Sequence, residues 1–187
     1  MQTKLVILDR DGTINRASDE FIKSPEEWEP LPGALEAISR LNHAGYQVVV
    51  VTNQSGLGRG LLDTAALNSV HARLIRALAA VGGRVDGIFY CPHAPEDECA
   101  CRKPAAGLLM QISERWGVSL QGVPCIGDSL RDMQAGALMG CDLHLVCTGR
   151  HPQLLGEPLP ATFPAGTQVH ADLAACVDHF LAADPVA

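Results

Sequence analysis

Three aspartates are spaced so that they could build a metal or phosphoryl-transfer centre. Asp9 and Asp11 stand on either side of Arg10 and are followed by Gly12, which lets the chain turn sharply. Asp128 follows another glycine far along the chain. Carboxylates from two such places can share a hard divalent cation, and Mg²⁺ with oxygen ligands is the natural candidate. A plain structural explanation stays open at this point, because aspartates are also common in solvated turns and as helix N-caps.

Two further segments carry groups that suit a phosphate. The run Thr52-Asn53-Gln54-Ser55-Gly56 offers hydroxyls, amide donors and a flexible backbone, which together can hold phosphate oxygens in a polar turn. Arg102 and Lys103 add two cations directly before Pro104, which we expect to open a helix. A metal and a cation offset the phosphate charge while a carboxylate attacks phosphorus. The combined pattern predicts a Mg²⁺-dependent phosphate site.

A loop with three thiols and one imidazole lies between these segments. Cys91, His93, Cys99 and Cys101 fall within eleven residues, and Cys₃His is a tetrahedral zinc set that leaves no open position for a catalytic water. We therefore expect a structural Zn²⁺ in this loop. Because Cys101 is bonded directly to Arg102, the metal would hold the adjacent basic pair over the site.

Apolar runs of strand length alternate with amphipathic stretches of helix length. This alternation predicts an α/β fold with a Rossmann-like parallel sheet flanked by helices. Ligands bind beyond the carboxyl ends of the strands in such a sheet, which is where the aspartates and the polar run stand. The predicted strands are 5–8, 46–51, 85–90, 123–126 and 143–146, with a short last strand, and the predicted helices are 33–44, 63–81, 105–116, 130–139 and 172–182.

The spacing of the motifs also limits the domain organisation. Only 42 residues separate Asp9 from Thr52, and the stretch from Thr52 to Lys103 must already provide a helix, a strand and the Cys/His loop. No room remains for a separate cap domain, so we predict a single domain over 1–187 with an open site. The proline-rich stretch 148–167 is predicted to be a loop.

Composition and charge exclude several classes of partner. The 187 residues carry a formal net charge of −7 and only 4% aromatic residues, which provides neither a broad basic surface nor a stacking platform for nucleic acid. No apolar run approaches the roughly 18 residues of a membrane span, and the N-terminus lacks the pattern of a secretion signal. We expect a cytoplasmic monomer that binds neither nucleic acid nor membrane, with the remaining cysteines as buried thiols.

The ordered motifs resemble those of the haloacid dehalogenase-like phosphatases. The matching segments are Asp9-Arg10-Asp11-Gly12-Thr13, Thr52-Asn53-Gln54, Lys103 and Gly127-Asp128, which together span most of the chain. The resemblance implies that Asp9 is a nucleophile that forms an aspartyl-phosphate. It implies that Asp11 is the general acid for the leaving alkoxide and then the base for water. It also implies that Asp9, the main-chain carbonyl of Asp11 and Asp128 ligate Mg²⁺, while Thr52 and Lys103 hold the transferring phosphoryl group.

The same resemblance places the groups that contact the rest of the substrate. Arg102 would read the substrate beyond the phosphoryl group. The other implied contacts come from the polar run, at Asn53, Gln54 and Ser55, and from a flap segment over the site, at Asn15, Ser18 and Asp19.

Two branches of the family carry a similar Cys/His loop. One removes a phosphate from a heptose bisphosphate in nucleotide-heptose synthesis for the lipopolysaccharide core, and the other acts on histidinol phosphate in histidine biosynthesis. Ser55-Gly56 after the polar run, Cys101-Arg102-Lys103-Pro104 and Asp132-Met133-Gln134-Ala135 resemble the heptose branch. The short gap between His93 and Cys101 resembles the histidinol branch, which is kept as the alternative.

Two further classes of function fit the sequence less well. A non-catalytic zinc-loop interaction module would explain the Cys/His cluster but would leave Asp9, Asp11 and Asp128 without a role. A phosphotransferase or mutase could use the same aspartyl-phosphate, but such an enzyme must shield the intermediate from water. The missing cap argues against it.

Overall fold

The computed structural model describes residues 4–183, which are built around one six-stranded sheet. The strands are β1 (Leu5–Leu8), β2 (Gln47–Asn53), β3 (Gly87–Cys91), β4 (Pro124–Gly127), β5 (Asp142–Val146) and β6 (Gln168–His170). Their order across the sheet is β3-β2-β1-β4-β5-β6, and every neighbouring pair is parallel. The predicted Rossmann-like parallel sheet is confirmed.

Helices connect the strands as the alternating pattern predicts. They are α1 (Ala34–His43), α2 (Ser55–Gly58), α3 (Thr64–Ala80), α4 (Gly107–Trp116), α5 (Leu130–Leu138) and α6 (Leu173–Ala183). Short 3₁₀ turns occur at Pro25–Glu27, Pro95–Asp97 and Pro152–Leu154. The single turn α2 was not predicted, because four residues are too few to show a helical period. None of the helices in 4–183 has the length and apolarity needed to span a bilayer.

The central strands are buried on both faces of the sheet. Successive side chains of a strand point to opposite faces, so Val6 and Leu8 belong to one apolar cluster, while Leu5 and Ile7 belong to another. The first cluster includes residues of α1, α3 and α6, and the second includes residues of α4 and α5. Burying each large aliphatic side chain contributes roughly 1.5–3 kcal/mol. This packing explains the nearly continuous apolar runs and holds the strand ends in place.

Two local predictions are corrected by the structure. The polar run was predicted as a turn, but Thr52 and Asn53 continue β2 because they pair with the last residues of β3, Tyr90 and Cys91. Pro104 was predicted to open a helix, whereas α4 begins later, at Gly107.

The start of α4 is set by its contact with the Cys/His loop. The amide of Gly107 donates to the carbonyl of Ala100 at 3.1 Å, and a Cβ at this glycine would lie 2.3 Å from the same oxygen. Only a glycine allows so close an approach between the helix and the loop.

The chain reverses its direction of travel across the sheet next to β1. After β1 it runs outward through β2 and β3, and then returns to place β4 on the other side of β1. The amide of Asp9 donates to the carbonyl of Ile126 at 2.8 Å, which joins the ends of these two strands. A ligand site is expected at such a switch point.

The segment between β1 and α1 is small. Within the described residues it contains a 3₁₀ turn and isolated bridges that join Asp11 to Asn15 and Asn15 to Pro30. The expectation that no cap domain is inserted here is confirmed.

Candidate active site

A buried chain of charges crosses the switch point. Nζ of Lys103 donates to Oδ1 of Asp9 at 2.9 Å, to Oδ1 of Asp132 at 2.5 Å and to the carbonyl of Val51 at 2.8 Å. Lys103 is 5% exposed and Asp132 is 3% exposed. Burial by itself lowers the pKa of a lysine, but Asp132 and Asp9 together raise the pKa of Lys103. The lysine is therefore a permanent cation beside Asp9.

Asp132 is held from its other side by the start of α5. Its Oδ2 accepts from the amide of Ser129 at 3.0 Å and from the hydroxyl at 2.6 Å, which forms a capping box. Both of its oxygens are thus engaged in hydrogen bonds, so Asp132 fixes Lys103 and is less suited than Asp9 and Asp128 to hold a further ligand.

Asp128 lies in a cradle of backbone. A Cβ at Gly149 would be 2.0 Å from its Oδ2, and one at Gly12 would be 2.3 Å away. The same oxygen accepts from the amide of Arg150 at 2.9 Å. Burial and the nearby Asp132 raise the pKa of Asp128 to about 6, because two carboxylates in a dry site repel each other. The loop after β5, for which the sequence predicted no role, therefore shapes this site.

Burial also raises the pKa of Asp9 well above its usual value, with a further contribution from Asp132 that outweighs the opposing effect of Lys103. One carboxylate oxygen each from Asp9, Asp128 and Asp132 lies within 4.8 Å of the others. When all three are ionised, three carboxylates against one lysine leave an excess of two negative charges. A divalent cation would neutralise that excess, and Asp9 and Asp128 are the carboxylates available to hold it.

Asp11 is oriented by donors on several sides. Arg10 donates to both of its oxygens at 2.9 and 3.0 Å, Asn15 donates to Oδ1 at 2.9 Å, and Gln54 donates to Oδ2 at 2.9 Å. The other hydrogen of the Gln54 amide reaches the hydroxyl of Thr52 at 2.9 Å. Gln54 thus connects the Asp11 carboxylate to the polar end of β2.

Asn53 fixes the backbone of the lysine. Its amide donates to the carbonyl of Lys103 at 3.0 Å, and its carbonyl accepts from the amide of Lys103 at 3.1 Å. This two-point contact imitates the pairing of a further strand residue. It explains how a loop residue reaches the carboxyl ends of β1 and β2 with its side chain in a defined place.

Most of the predicted site residues line one cleft over these carboxylates. Ser18, Ser55 and Arg102 lie on its walls with the groups described above, and Arg131 and Arg150 join them. Asn15 does not line it, because its side chain is fully buried beneath Asp11. Asp19 lines a neighbouring depression with Arg150. The cleft therefore combines an acidic floor with a rim of three arginines.

The four loop residues predicted to bind zinc converge in the structure. Sγ of Cys91 lies 3.5 Å from Nδ1 of His93 and 3.5 Å from Sγ of Cys99. Sγ of Cys101 lies 3.3 Å from Cys91, 3.5 Å from Cys99 and 3.3 Å from Nδ1 of His93. The cluster could hold a metal ion. It lies next to the cleft, since the Arg102 guanidinium donates to the carbonyl of His93 at 3.4 Å.

Sequence reasoning missed several residues that the fold brings to the site. Arg10 is fully buried and donates to Nε2 of His71 on α3 at 3.2 Å, so a distant helix supports the group that orients Asp11. Arg131 directly precedes Asp132, and a basic residue next to a motif aspartate could have signalled it. Arg150 is 22 residues from Asp128 in sequence and meets it only in the fold. Nothing in the sequence around His71 points to the site.

The fold and this site define a class of enzyme. An aspartate at the end of the first strand, a buried lysine beside it and a second carboxylate at the end of the adjacent strand form a haloacid dehalogenase-like phosphohydrolase centre. Comparison with known proteins agrees. Residues 4–125 match the family model described as polynucleotide kinase 3 phosphatase, and residues 100–176 match the HAD-hydrolase-like model.

Comparison with individual proteins identifies a family within this class of enzyme. The D-glycero-beta-D-manno-heptose-1,7-bisphosphate 7-phosphatase of Bordetella bronchiseptica is 54% identical over 95% of this chain and 98% of its own. That of Pseudomonas aeruginosa is 49% identical over 97% of this chain and 99% of its own. The crystal structure of D,D-heptose 1,7-bisphosphate phosphatase from B. bronchiseptica, complexed with magnesium and phosphate, covers 97% of this chain and 99% of its own with a TM-score of 0.91.

The chain belongs to the D-glycero-beta-D-manno-heptose-1,7-bisphosphate 7-phosphatase family and is a phosphoric monoester hydrolase. The resemblance inferred from the ordered motifs is thereby confirmed. The relatives do not favour the histidinol-phosphate alternative.

Proposed function

We propose that this enzyme hydrolyses the 7-phosphate of D-glycero-D-manno-heptose 1,7-bisphosphate through an aspartyl-phosphate on Asp9, as a step in nucleotide-heptose synthesis for the lipopolysaccharide core. The observation that carries the proposal is the buried pair of Asp9 and Lys103, which opens into the cleft beside Asp128. The names of the relatives supply the substrate.

Mg²⁺ suits the acidic floor of the cleft. Asp9, the main-chain carbonyl of Asp11 and Asp128 would hold it, and the relative from B. bronchiseptica contains magnesium with phosphate. The excess of two negative charges at the floor supports a divalent ion, and the all-oxygen donor set supports a hard one. When bound, the ion withdraws charge from the phosphoryl oxygens.

The reaction follows from the roles of the surrounding side chains. A carboxylate oxygen of Asp9 attacks phosphorus, and the bond between phosphorus and the C7 oxygen breaks. Asp11 gives its proton to the departing alkoxide and then takes one from the water that attacks the aspartyl-phosphate. That second attack breaks the bond from phosphorus to Asp9 and releases inorganic phosphate. Thr52 and Lys103 line the cleft beside Asp9 and hold the phosphoryl oxygens. Lys103 does so by turning to the phosphoryl group the N–H that it donates to Asp9, while Asp132 and Val51 keep the other two.

The arginine rim suits the second phosphate of a bisphosphate. Arg102, Arg131 and Arg150 line the cleft beyond the carboxylates, and guanidinium groups bind phosphate by paired hydrogen bonds. Arg131 lies near enough to Arg102 to contribute, after burial, to a lowered pKa of the Arg102 guanidinium. An anion between the two would relieve their repulsion. The cationic amine of histidinol phosphate would add to it.

The remaining predicted contacts divide between substrate and support. Ser55 and Ser18 line the cleft and are placed to bind sugar hydroxyls, and Asp19 could reach a long substrate from the neighbouring depression. The other three predicted contacts already use their amides within the protein. Asn53 donates to Lys103, Asn15 donates to Asp11, and Gln54 donates to Asp11 and Thr52. We assign these three to positioning the catalytic groups.

Zn²⁺ suits the Cys/His loop. Around a tetrahedral zinc ion, sulfur and nitrogen ligand atoms lie about 3.5–3.8 Å apart. The separations in the structure are 3.3–3.5 Å, so an outward shift of a few tenths of an ångström, on the order of thermal motion, accommodates the ion. The soft thiolate donors favour zinc over the magnesium assigned to the cleft. A zinc ion at Cys91, His93, Cys99 and Cys101 would stiffen the loop that carries Arg102.

We further propose that the chain works as a single domain over 1–187 and as a cytoplasmic monomer. Every group assigned above comes from one chain, so the site needs no partner. The net charge of −7 argues against nucleic acid as the substrate. Sedimentation equilibrium tests the monomer, and a dimer that persists at nanomolar concentration would refute it.

A direct assay tests the substrate. Phosphate release in Mg²⁺ buffer is measured for the heptose 1,7-bisphosphate, other sugar bisphosphates and histidinol phosphate. We expect kcat/KM for the heptose bisphosphate to exceed that for histidinol phosphate by at least about a hundredfold, equal to about 2.7 kcal/mol of transition-state binding. Equal rates or a preference for histidinol phosphate would overturn the substrate and leave the Asp9 chemistry in place.

A further inference from the structure

A second group of metal-binding side chains lies at the β6 edge of the sheet, across the sheet from the Cys/His loop at β3. His144 on β5, His170 at the end of β6 and Cys176 on α6 bring one ligand atom each within 4.8 Å of the others. His144 and Cys176 are fully buried, and His170 is half-buried. None of the three takes part in the cleft or the loop.

The hydrogen bonds of His144 leave one nitrogen directed at the cluster. Nε2 lies 3.0 Å from Oδ2 of Asp142, and since a carboxylate only accepts, Nε2 carries the proton. Nδ1 is therefore the unprotonated nitrogen, and it lies 3.0 Å from Nε2 of His170. A histidine that donates to a carboxylate through one nitrogen and presents the other is the usual arrangement around a protein-bound metal.

Asp142 is itself held in place. Gln168 on β6 donates to its Oδ1 at 3.4 Å, so β5 and β6 both contribute to the support behind His144. A carboxylate held in this way fixes the tautomer and the ring orientation of His144.

A fourth donor stands at the rim of the cluster. His179 follows Cys176 by three residues on α6, and residues at this spacing share a helix face. Its ring centre lies 5.3 Å from that of His170 and 6.3 Å from that of His144. Because His179 is exposed, its side chain can turn towards an ion without disturbing the core.

The imidazoles are in the state that binds metals. Burial, followed by the nearby His144 and His179, lowers the pKa of His170 to about 4, and burial lowers the pKa of His144 as well. Both rings are therefore neutral near pH 7. Burial raises the pKa of Cys176, so its thiol ionises only when a cation compensates the charge.

We propose that His144, His170 and Cys176 form a second zinc site, distinct from the loop, with His179 as the fourth ligand. Tetrahedral zinc requires ligand atoms about 3.3–3.6 Å apart, so an adjustment of about 1 Å by the side chains closes the site. Two imidazoles and one thiolate favour zinc over magnesium or calcium. The ion would tie β5, β6 and α6 together at the edge of the sheet.

Binding has a defined proton balance. Before binding, Nε2 of His170 donates a hydrogen bond to Nδ1 of His144. The proton of His170 must therefore shift from its Nε2 to its own Nδ1 before Nε2 can bind the metal. The thiol of Cys176 loses its proton to solvent. Zn²⁺ binding therefore releases one proton per ion, besides any released by His179.

Elemental analysis of four full-length chains tests the proposal after dialysis against a zinc buffer and removal of free ion. They are the wild type, Cys99→Ser, His170→Gln and the double variant Cys99→Ser/His170→Gln. If the loop also binds zinc, we expect about two, one, one and no zinc ions per chain. His43→Gln is the matched control, since it removes a histidine outside both clusters, and it should keep the wild-type value.

The two sites fail independently. If only the loop proposal is wrong, the wild type and Cys99→Ser each hold one ion and His170→Gln holds none, which still supports the edge site. If Cys99→Ser holds no zinc, or if His170→Gln and the wild type hold the same amount, the edge site is refuted. Cys176→Ala, checked by circular dichroism, provides a second variant and should match His170→Gln.

Discussion

The cleft and the Cys/His loop are two candidate metal centres built in opposite ways. In the cleft, Asp9 and Asp128 end adjacent central strands, and their neighbours are buried on both faces of the sheet. The loop between β3 and α4 contains only a 3₁₀ turn, and three of its four candidate metal ligands, His93, Cys99 and Cys101, are half-exposed. Core packing holds the carboxylates in place before any ion binds, whereas the loop has little core packing of its own and would gain rigidity from the ion that we propose for it. We therefore expect changes in the cleft to abolish chemistry and changes in the loop to reduce it.

Asp9→Asn should produce the largest effect. The amide keeps the size of the side chain but cannot act as the nucleophile, so kcat/KM should fall at least about a thousandfold, equal to about 4 kcal/mol. Steady-state phosphate release measures this loss, and circular dichroism should show an unchanged fold. Activity within about tenfold of the wild type would show that Asp9 does not attack phosphorus.

Arg102→Ala should alter selectivity, because Arg102 is the point where the loop meets the cleft. Loss of its guanidinium group should reduce the preference for the heptose bisphosphate over histidinol phosphate by about 10–100-fold. Hydrolysis of a small aryl phosphate should change little. Arg40→Ala, which removes an arginine from the surface pair with Asp178, is the control. An equal loss on all substrates would mean that Arg102 serves the phosphoryl group itself.

Asp132→Asn tests whether the cleft is preorganised by its buried ion pairs. Lys103 would keep Asp9 but lose its second carboxylate, so we expect kcat to fall about tenfold and the free energy of unfolding to fall by about 3 kcal/mol. Urea titration and initial rates measure the two effects. Asp178→Asn, in an exposed pair with Arg40, should cost less than about 1 kcal/mol. An unchanged rate would show that Asp132 does not position Lys103 for the reaction.

Cys99→Ser should weaken the loop without touching the cleft. We expect the loop zinc to be lost and kcat/KM to fall about tenfold, while the Mg²⁺ concentration for half-maximal activity stays the same. Cys141→Ser removes a half-exposed thiol outside the loop and should change neither value. Full activity in chains shown to lack zinc would show that a metal in the loop is not needed to position Arg102.

Replacing His71 should give the smallest effect, which appears only in the pH dependence of the free energy of unfolding. Burial, with a contribution from Arg10, lowers the pKa of His71 to about 4. In the unfolded chain the histidine pKa is about 6.5, so between pH 6.5 and pH 4 the unfolded chain binds more protons than the folded one. The contribution of His71 to the free energy of unfolding is therefore complete above pH 6.5 and is lost as the pH falls towards 4.

The measurement is the urea midpoint from pH 7 to pH 4.5 for the wild type and His71→Gln. The wild type should lose about 2 kcal/mol more than the variant over this range. His170 has a lowered pKa for the same main reason and contributes the same background to both proteins. Parallel curves would mean that His71 does not stay neutral beside Arg10.

Local patterns were enough to predict much of this fold. The apolar runs predicted five strands within two residues of their observed starts and ends, because strands buried on both faces need apolar side chains at every position. Helix ends were similarly close, since caps are local signals; the Asp63 side chain, for example, accepts from the amide of Ala66 at 2.7 Å at the start of α3. The one-turn α2 and the delayed start of α4 depend on contacts with distant segments, and the sequence pattern did not show them.

The site shows the same division. Residue type and order alone identified the carboxylates, the polar run, the basic pair and the Cys/His loop, because the functional group that a side chain carries is set by its residue type. Only the tertiary structure showed that Asp132 holds Lys103, that His71 supports Arg10 and that Gly149 lets the backbone approach Asp128. These relations join residues far apart in sequence across a closed, water-poor interior. There, burial and proximity decide which charges pair, and no local pattern records that proximity.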